Sequence, residues 1–81
     1  FTLNAKGKNY KEVKVAGNFN GWNGITMDSK GDVWKVDVYL PPGKCLYKFI
    51  VDGVWILDPA NDQWEDNEFH NGNSVRWITS N

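Results

Sequence analysis

The stretch Tyr47-Lys48-Phe49-Ile50-Val51-Asp52-Gly53-Val54-Trp55-Ile56-Leu57 decides the fold of this chain. Two apolar-rich runs flank Asp52-Gly53, and a two-residue type I′ turn, which needs positive φ at two successive residues, favours that dipeptide. The turn also fixes a register. Val51 opposes Val54, Ile50 opposes Trp55, Phe49 opposes Ile56 and Lys48 opposes Leu57, with alternate pairs on alternate faces. If Tyr47, Phe49 and Val51 face a core, Lys48, Ile50 and Trp55 share the opposite face.

The same period of two recurs on either side of the hairpin. Val13 and Val15 alternate with Glu12 and Lys14 up to Gly17, and over Val33 to Leu40 the residues Trp34, Val36, Val38 and Leu40 alternate with Lys35, Asp37 and Tyr39. Pro42-Gly43 supplies a type II turn ahead of a strand from Lys44 to Val51, because proline presets the first central residue and glycine accepts positive φ at the second. Asn73 to Ile78 reads as the last strand. No window of helical length carries apolar spacing of 3.6 residues. The expected fold is all-β: an immunoglobulin-like (early-set) β-sandwich of about seven short strands.

Composition narrows the function. An 81-residue chain with 41% hydrophobic and 23% charged residues is an ordinary small globular domain. Nine basic against ten acidic residues give a net charge of −1, without the basic footprint expected of a partner for nucleic acid or an anionic membrane. Cys45 is the single cysteine, so neither an intrachain disulfide nor a cysteine-rich metal site is available. With no initiator Met and no signal- or transit-peptide pattern, residues 1–81 read as a single, monomeric module of a longer protein, its compartment unassigned.

The inventory for catalysis is thin. His70, the only histidine, has no nucleophile at a telling spacing, and a small sandwich offers little depth for a carboxylate pair in separated environments. The segment from Asp58 to Glu68 holds five acids, no base and Trp64, and reads as a long loop with solvated carboxylates. Its Asp58, Asp62, Asp66 and Glu68 are hard oxygen ligands, but their spacing matches no calcium-binding loop, so neither a metal nor a cofactor is expected. Trp64 has two open placements, fastened beneath this loop or extending a ligand platform beside Phe69. Self-repulsion among the acids favours fastening.

Five Trp, three Tyr and four Phe are more rings than so small a core can enclose, so some face solvent. An exposed indole flanked by Asn and Lys suits a pyranose: the flat ring covers the C–H face, and amide or ammonium groups bond the edge hydroxyls. Trp22, in the turn-rich Asn18-Phe19-Asn20-Gly21-Trp22-Asn23-Gly24, and Trp55, outward by the hairpin register, are the candidates. The competing placement packs both rings under loops. Phe19 is expected to plug the core and Trp34 to lie in it, while Trp77 is open between core and sheet surface.

Val15-Ala16-Gly17-Asn18-Phe19-Asn20-Gly21-Trp22, Trp34, Leu40-Pro41-Pro42-Gly43 with Tyr47-Lys48-Phe49, Val51-Asp52-Gly53-Val54-Trp55, Asp58-Pro59 and Asn73-Ser74-Val75 follow one another in an order that resembles the family 48 carbohydrate-binding modules. The group includes the glycogen-binding domain of the AMP-activated protein kinase β subunit. The resemblance implies a non-catalytic sandwich that binds α-1,4-glucan, as a glycogen- or starch-like polysaccharide or a maltooligosaccharide. It implies Trp22 and Trp55 as stacking platforms and Lys48 as a donor to sugar hydroxyls, with Phe69, Asn71 and Asn73 completing the site from the loop before the last strand. The rival expectation is an early-set sandwich that packs on a neighbouring domain as a protein-interaction or spacer module. Joint exposure of Trp22 and Trp55 discriminates between the two.

Overall fold

The computed structural model describes residues 1–5, 7–66 and 72–79. Its regular structure is antiparallel strand throughout, and no helix occurs among the described residues. The strands are β1 (Thr2–Asn4), β2 (Val13–Gly17), β3 (Ile25–Thr26), β4 (Asp28–Lys30), β5 (Val33–Lys35), β6 (Gly43–Val51), β7 (Val54–Ile56), β8 (Trp64–Glu65) and β9 (Asn73–Ile78). They form two sheets, one ordered β1-β5-β4 and the other β3-β2-β6-β9-β8 with β7 also paired to β6. Two two-residue strands, β3 and β8, account for a count of nine among the described residues where about seven were expected.

The hairpin has the register its turn dictates: Val51 pairs with Val54, Ile50 with Trp55 and Phe49 with Ile56. Asp52 and Gly53 take φ of 48° and 85°, the two positive values of a type I′ turn. Pairing stops there, so Lys48 and Leu57 are not ladder partners. The Asp52 carboxylate is also a clamp, since Oδ1 accepts the backbone N–H groups of Lys11 at 2.9 Å and Glu12 at 2.8 Å and so aims the chain into β2.

The nine-residue β6 is the spine of the larger sheet. Along one edge it pairs with β2, from Val13 opposite Val51 to Gly17 opposite Tyr47. Its other edge is shared, β9 taking residues 43–47 and β7 taking residues 49–51. Alternation then separates two faces. Cys45, Tyr47, Phe49 and Val51 join Val13, Val15, Leu3 and Met27 in the buried core, with Phe19, Ile25, Trp34, Val36, Leu40 and Ile56 packed around it. Phe1 stacks on Phe19 with ring centroids 5.5 Å apart, which places Phe19 at the end of the core as its plug.

Two expectations need correction. The strand expected over Val33 to Leu40 ends at Lys35. Val36, Val38 and Leu40 still turn inward and Asp37 and Tyr39 outward, but β1 offers no ladder beyond the pair of bonds at Phe1, whose carbonyl accepts the Val36 N–H at 3.0 Å and whose ammonium donates to the Val36 carbonyl at 2.8 Å. Side-chain periodicity reports which face is buried, and a ladder additionally needs a neighbour of matching length.

The acidic segment is not a wholly solvated loop. Asp58 is buried, its Oδ2 accepting the Tyr47 hydroxyl at 2.7 Å and its Oδ1 the Ala60 N–H at 2.9 Å, while its own N–H donates to Ser74 Oγ at 2.8 Å. Asn61 Nδ2 donates to the Tyr47 hydroxyl at 3.0 Å and to the Val75 carbonyl at 2.9 Å. From that anchor the chain enters β8, which pairs with β9 through Trp64 opposite Ser74 and Glu65 opposite Asn73. Trp64 is not the fastening: its indole is 58% exposed and lies along Gly72. Hydrogen bonds to buried groups hold this segment where an apolar anchor was expected.

Cys45 is a buried, unpaired thiol, and burial pushes its pKa up. Such a thiol behaves as a small hydrophobe. Cys45→Ser should therefore fold at a cost of about 1–3 kcal/mol, the penalty for enclosing a hydroxyl without a built partner. Thiol titration checks the environment: reaction with an aromatic disulfide reagent should be slow in the native protein and immediate in denaturant.

Candidate functional site

The outward face of the larger sheet collects the residues of alternate parity on its strands. Across it lie Lys14 and Ala16 of β2, Lys44, Leu46, Lys48 and Ile50 of β6, Trp55 of β7, and Val75 and Trp77 of β9. Asn73 has the same parity as Val75 and so projects from this face beside Lys48. The hairpin thus puts Lys48, Ile50 and Trp55 together, as its register dictated.

The loop that bears Trp22 folds toward that face. Asn18 carries β2 beyond its last residue by imitating a peptide group: its Oδ1 accepts the Leu46 N–H and its Nδ2 donates to the Lys44 carbonyl, each at 3.2 Å. The Gly17 carbonyl accepts the N–H groups of Asn20 at 3.2 Å and Trp22 at 2.9 Å, closing a tight turn. Asn20 Nδ2 donates to the Asn23 carbonyl, and Asn23 Nδ2 returns the bond to the Asn20 carbonyl at 2.9 Å. Inside this clasp Trp22 has φ of 65°, a left-handed conformation that a bulky side chain adopts only when its surroundings enforce it.

The loop then folds over the sheet. A methyl group placed on Gly24 would lie 2.9 Å from Lys14 Cδ and 3.5 Å from Ile50 Cδ1. Ile50 is the ladder partner of Trp55, so the turn bearing Trp22 closes onto the same face as Trp55. The two indoles are 36% and 46% exposed.

Lys48, opposite Ala16 on the same face, is in a different state. It is only 5% exposed, with no salt bridge among the described residues. Among the described residues no sealed side-chain nitrogen or oxygen lacks a hydrogen-bond partner, so the covered part of Lys48 is the aliphatic stem and its ammonium is at the surface. Asn73 is buried at the start of β9. Phe69 and Asn71, and with them His70 and Glu68, lie outside the described residues. The Asn20–Asn23 clasp and the seating of Gly24 escaped the sequence reading. The repeated Asn-Gly within the five residues Asn20 to Gly24 was the available signal.

This arrangement offers flat apolar surface beside lysine and asparagine side chains, a surface that suits a neutral hydroxylated ligand. Residues 1–80 match the family described as the glycogen recognition site of AMP-activated protein kinase. Over 50 residues, 62% of this chain, the sequence is 38% identical to 5′-AMP-activated protein kinase subunit beta-1 of Sus scrofa, 41% of which is covered. The same subunit of Rattus norvegicus is also 38% identical over 50 residues, with 18% of it covered. Subunit beta-2 of Mus musculus is 39% identical over 51 residues, with 19% of it covered. The chain spans less than half the length of these relatives. Because the family match runs through both sheets and not only through the hairpin, the chain belongs to this family of glycogen-recognising, non-catalytic carbohydrate-binding modules.

Proposed function

We propose that this module binds α-1,4-glucan through Trp22 and Trp55 as stacking platforms, with Lys48 and Asn73 donating to sugar hydroxyls, and so localises a larger, non-enzymatic or enzymatic parent protein on glycogen or a starch-like polymer. Phe69 and Asn71 extend the same proposal. The observation that carries it is the seating of Gly24 on Ile50, the ladder partner of Trp55. It supports two exposed indoles on one face, where the spacer reading required both to be covered. The module acts as a monomer, and neither nucleic acid nor a membrane is a partner.

Magnitudes place the affinity in the weak range. Two indoles each covering some 50 Å² of sugar face contribute roughly 2.5 kcal/mol at about 25 cal/mol/Å². Three or four hydroxyl bonds add about 1 kcal/mol net each. After association entropy, the dissociation constant for a short oligosaccharide falls between about 10 µM and 1 mM.

Calorimetry against a linear maltooligosaccharide tests the site. Trp22→Ala and Trp55→Ala should each weaken binding by about 1–3 kcal/mol while the fold survives, as loss of a central aromatic anchor does. Lys48→Ala should weaken it by about 1 kcal/mol, the net worth of one hydroxyl bond. A parallel screen on glycogen, amylopectin and xylan tests the ligand class, and equal binding to xylan would overturn it.

A further inference from the structure

Trp77 is 68% exposed and stands on the same sheet face as Trp55, at the opposite end. Trp55 pairs with Ile50 of β6 and Trp77 with Lys44, on one edge of the same strand. Six residues of strand at about 3.3 Å each separate the two pairs by about 20 Å. Between them the face is closed by Lys48, Asn73 and Val75, all buried. The two indoles are therefore distinct platforms and not the walls of one short groove.

The rim of Trp77 is polar in a particular way. Lys44 Nζ lies 6.0 Å from the ring centroid and is ion-paired with Glu65, which shares this face. Paired opposite charges cancel, so the rim attracts neither an anion nor a cation over long range. It still offers ammonium donors and carboxylate acceptors, the complement of vicinal hydroxyls. The Asn18 Nδ2 bond to the Lys44 carbonyl fixes this end of β6 to the Trp22 loop.

We propose that Trp77, with the Lys44–Glu65 pair at its rim, is a second α-glucan platform, so that one module grips a polymer at two points. This rests on the glucan-binding reading of Trp22 and Trp55. A short oligosaccharide occupies one platform at a time. A long or branched glucan reaches the second at high effective concentration, and avidity follows without any further contact.

The experiment compares maltotriose, too short to span the two platforms, with glycogen, on the wild type, Trp77→Ala and Trp55→Ala. Trp77→Ala should hold maltotriose within about twofold of the wild type and lose about tenfold or more in apparent glycogen affinity, because only the bivalent mode is removed. Lys44→Gln should lose glycogen affinity in the same direction. Trp55→Ala should weaken both ligands. A wild type that binds neither ligand overturns the glucan reading itself. If the wild type binds both and Trp77→Ala holds glycogen as tightly, only the second platform is overturned. Sedimentation of the unliganded protein tests the other occupant: a dimer that Trp77→Ala dissolves, with glycogen affinity unchanged, makes Trp77 a self-association contact and overturns the proposal.

Discussion

Gly17→Ala is expected to lower the melting temperature by roughly 12–24 °C, the shift for about 3 kcal/mol in a domain of this size. A Cβ at this position would stand 2.4 Å from the Leu46 carbonyl oxygen and 2.4 Å from Phe19 Cε1. Neither neighbour can give way. The carbonyl belongs to β6 and accepts the Asn18 N–H, and the phenyl ring is stacked on Phe1 at the end of the core. Overpacking ordinarily costs about 1–3 kcal/mol, and a backbone oxygen as the obstacle puts this site at the upper end. Against a total of about 4–12 kcal/mol for a chain this long, the loss is roughly a quarter to three quarters of the stability. Thermal denaturation followed by near-ultraviolet dichroism checks it, and a shift of only a few degrees would mean that the Trp22 loop moves aside without cost. A milder readout comes with it: a displaced Phe19 carries the clasp around Trp22 along, so residual folded protein should bind glucan more weakly than the wild type.

Asp58→Ala is expected to cost about 2–4 kcal/mol, because it orphans the buried Tyr47 hydroxyl proton and the Ala60 N–H together. Asp58→Asn keeps a carbonyl oxygen in the same place and should cost less. The same contact predicts an alkaline limb. Burial, reinforced by the hydrogen bond to Asp58, pushes the Tyr47 pKa up to about 12, from an ordinary value of about 10. The folded state thus holds this proton more tightly than the unfolded chain does. Its contribution is complete below about pH 10 and is lost as the pH rises to about 12, on the order of 2 kcal/mol in all. Denaturant melts across that range should show a limb that Tyr47→Phe flattens. An unchanged limb in Tyr47→Phe would place the alkaline sensitivity elsewhere.

Legibility in the sequence followed the range of the interaction. Asp52-Gly53 sets its own turn, and the turn sets the partners of Ile50 and Phe49, so the hairpin and the outward face of Trp55 were readable from consecutive residues. The buried parity of Val13, Val15, Tyr47 and Phe49 was readable for the same reason. Trp22 was a candidate by residue type, but the seating of its loop depends on Gly24 meeting Lys14 and Ile50, which local pattern cannot encode. Asp58 was misread among acids because its partners, Tyr47 and Ser74, lie 11 and 16 positions away. Trp64 was assigned a fastening role that this buried carboxylate and Asn61 carry instead. The end of β5 at Lys35 was hidden because alternation continues to Leu40 after the neighbouring strand has run out.

The strands at the margins of the two sheets bear on what happens when many copies gather on one branched polysaccharide. Crowding of that kind raises the local concentration of every exposed backbone edge, the condition under which sheets recruit one another into aggregates. Here β3 and β8 are two residues long, β7 is three, and β4 reads Asp28-Ser29-Lys30, with every side chain exposed and opposite charges at its ends. The nine-residue β6 has Tyr47 and Phe49 to Val51 paired on two sides, and the six-residue β9 is paired with β6 and, at Asn73 and Ser74, with β8. At β3, β4, β7 and β8, therefore, neighbouring modules on a glycogen particle meet without a template long enough to zip together, which favours dense decoration of the polymer while each copy keeps its own fold.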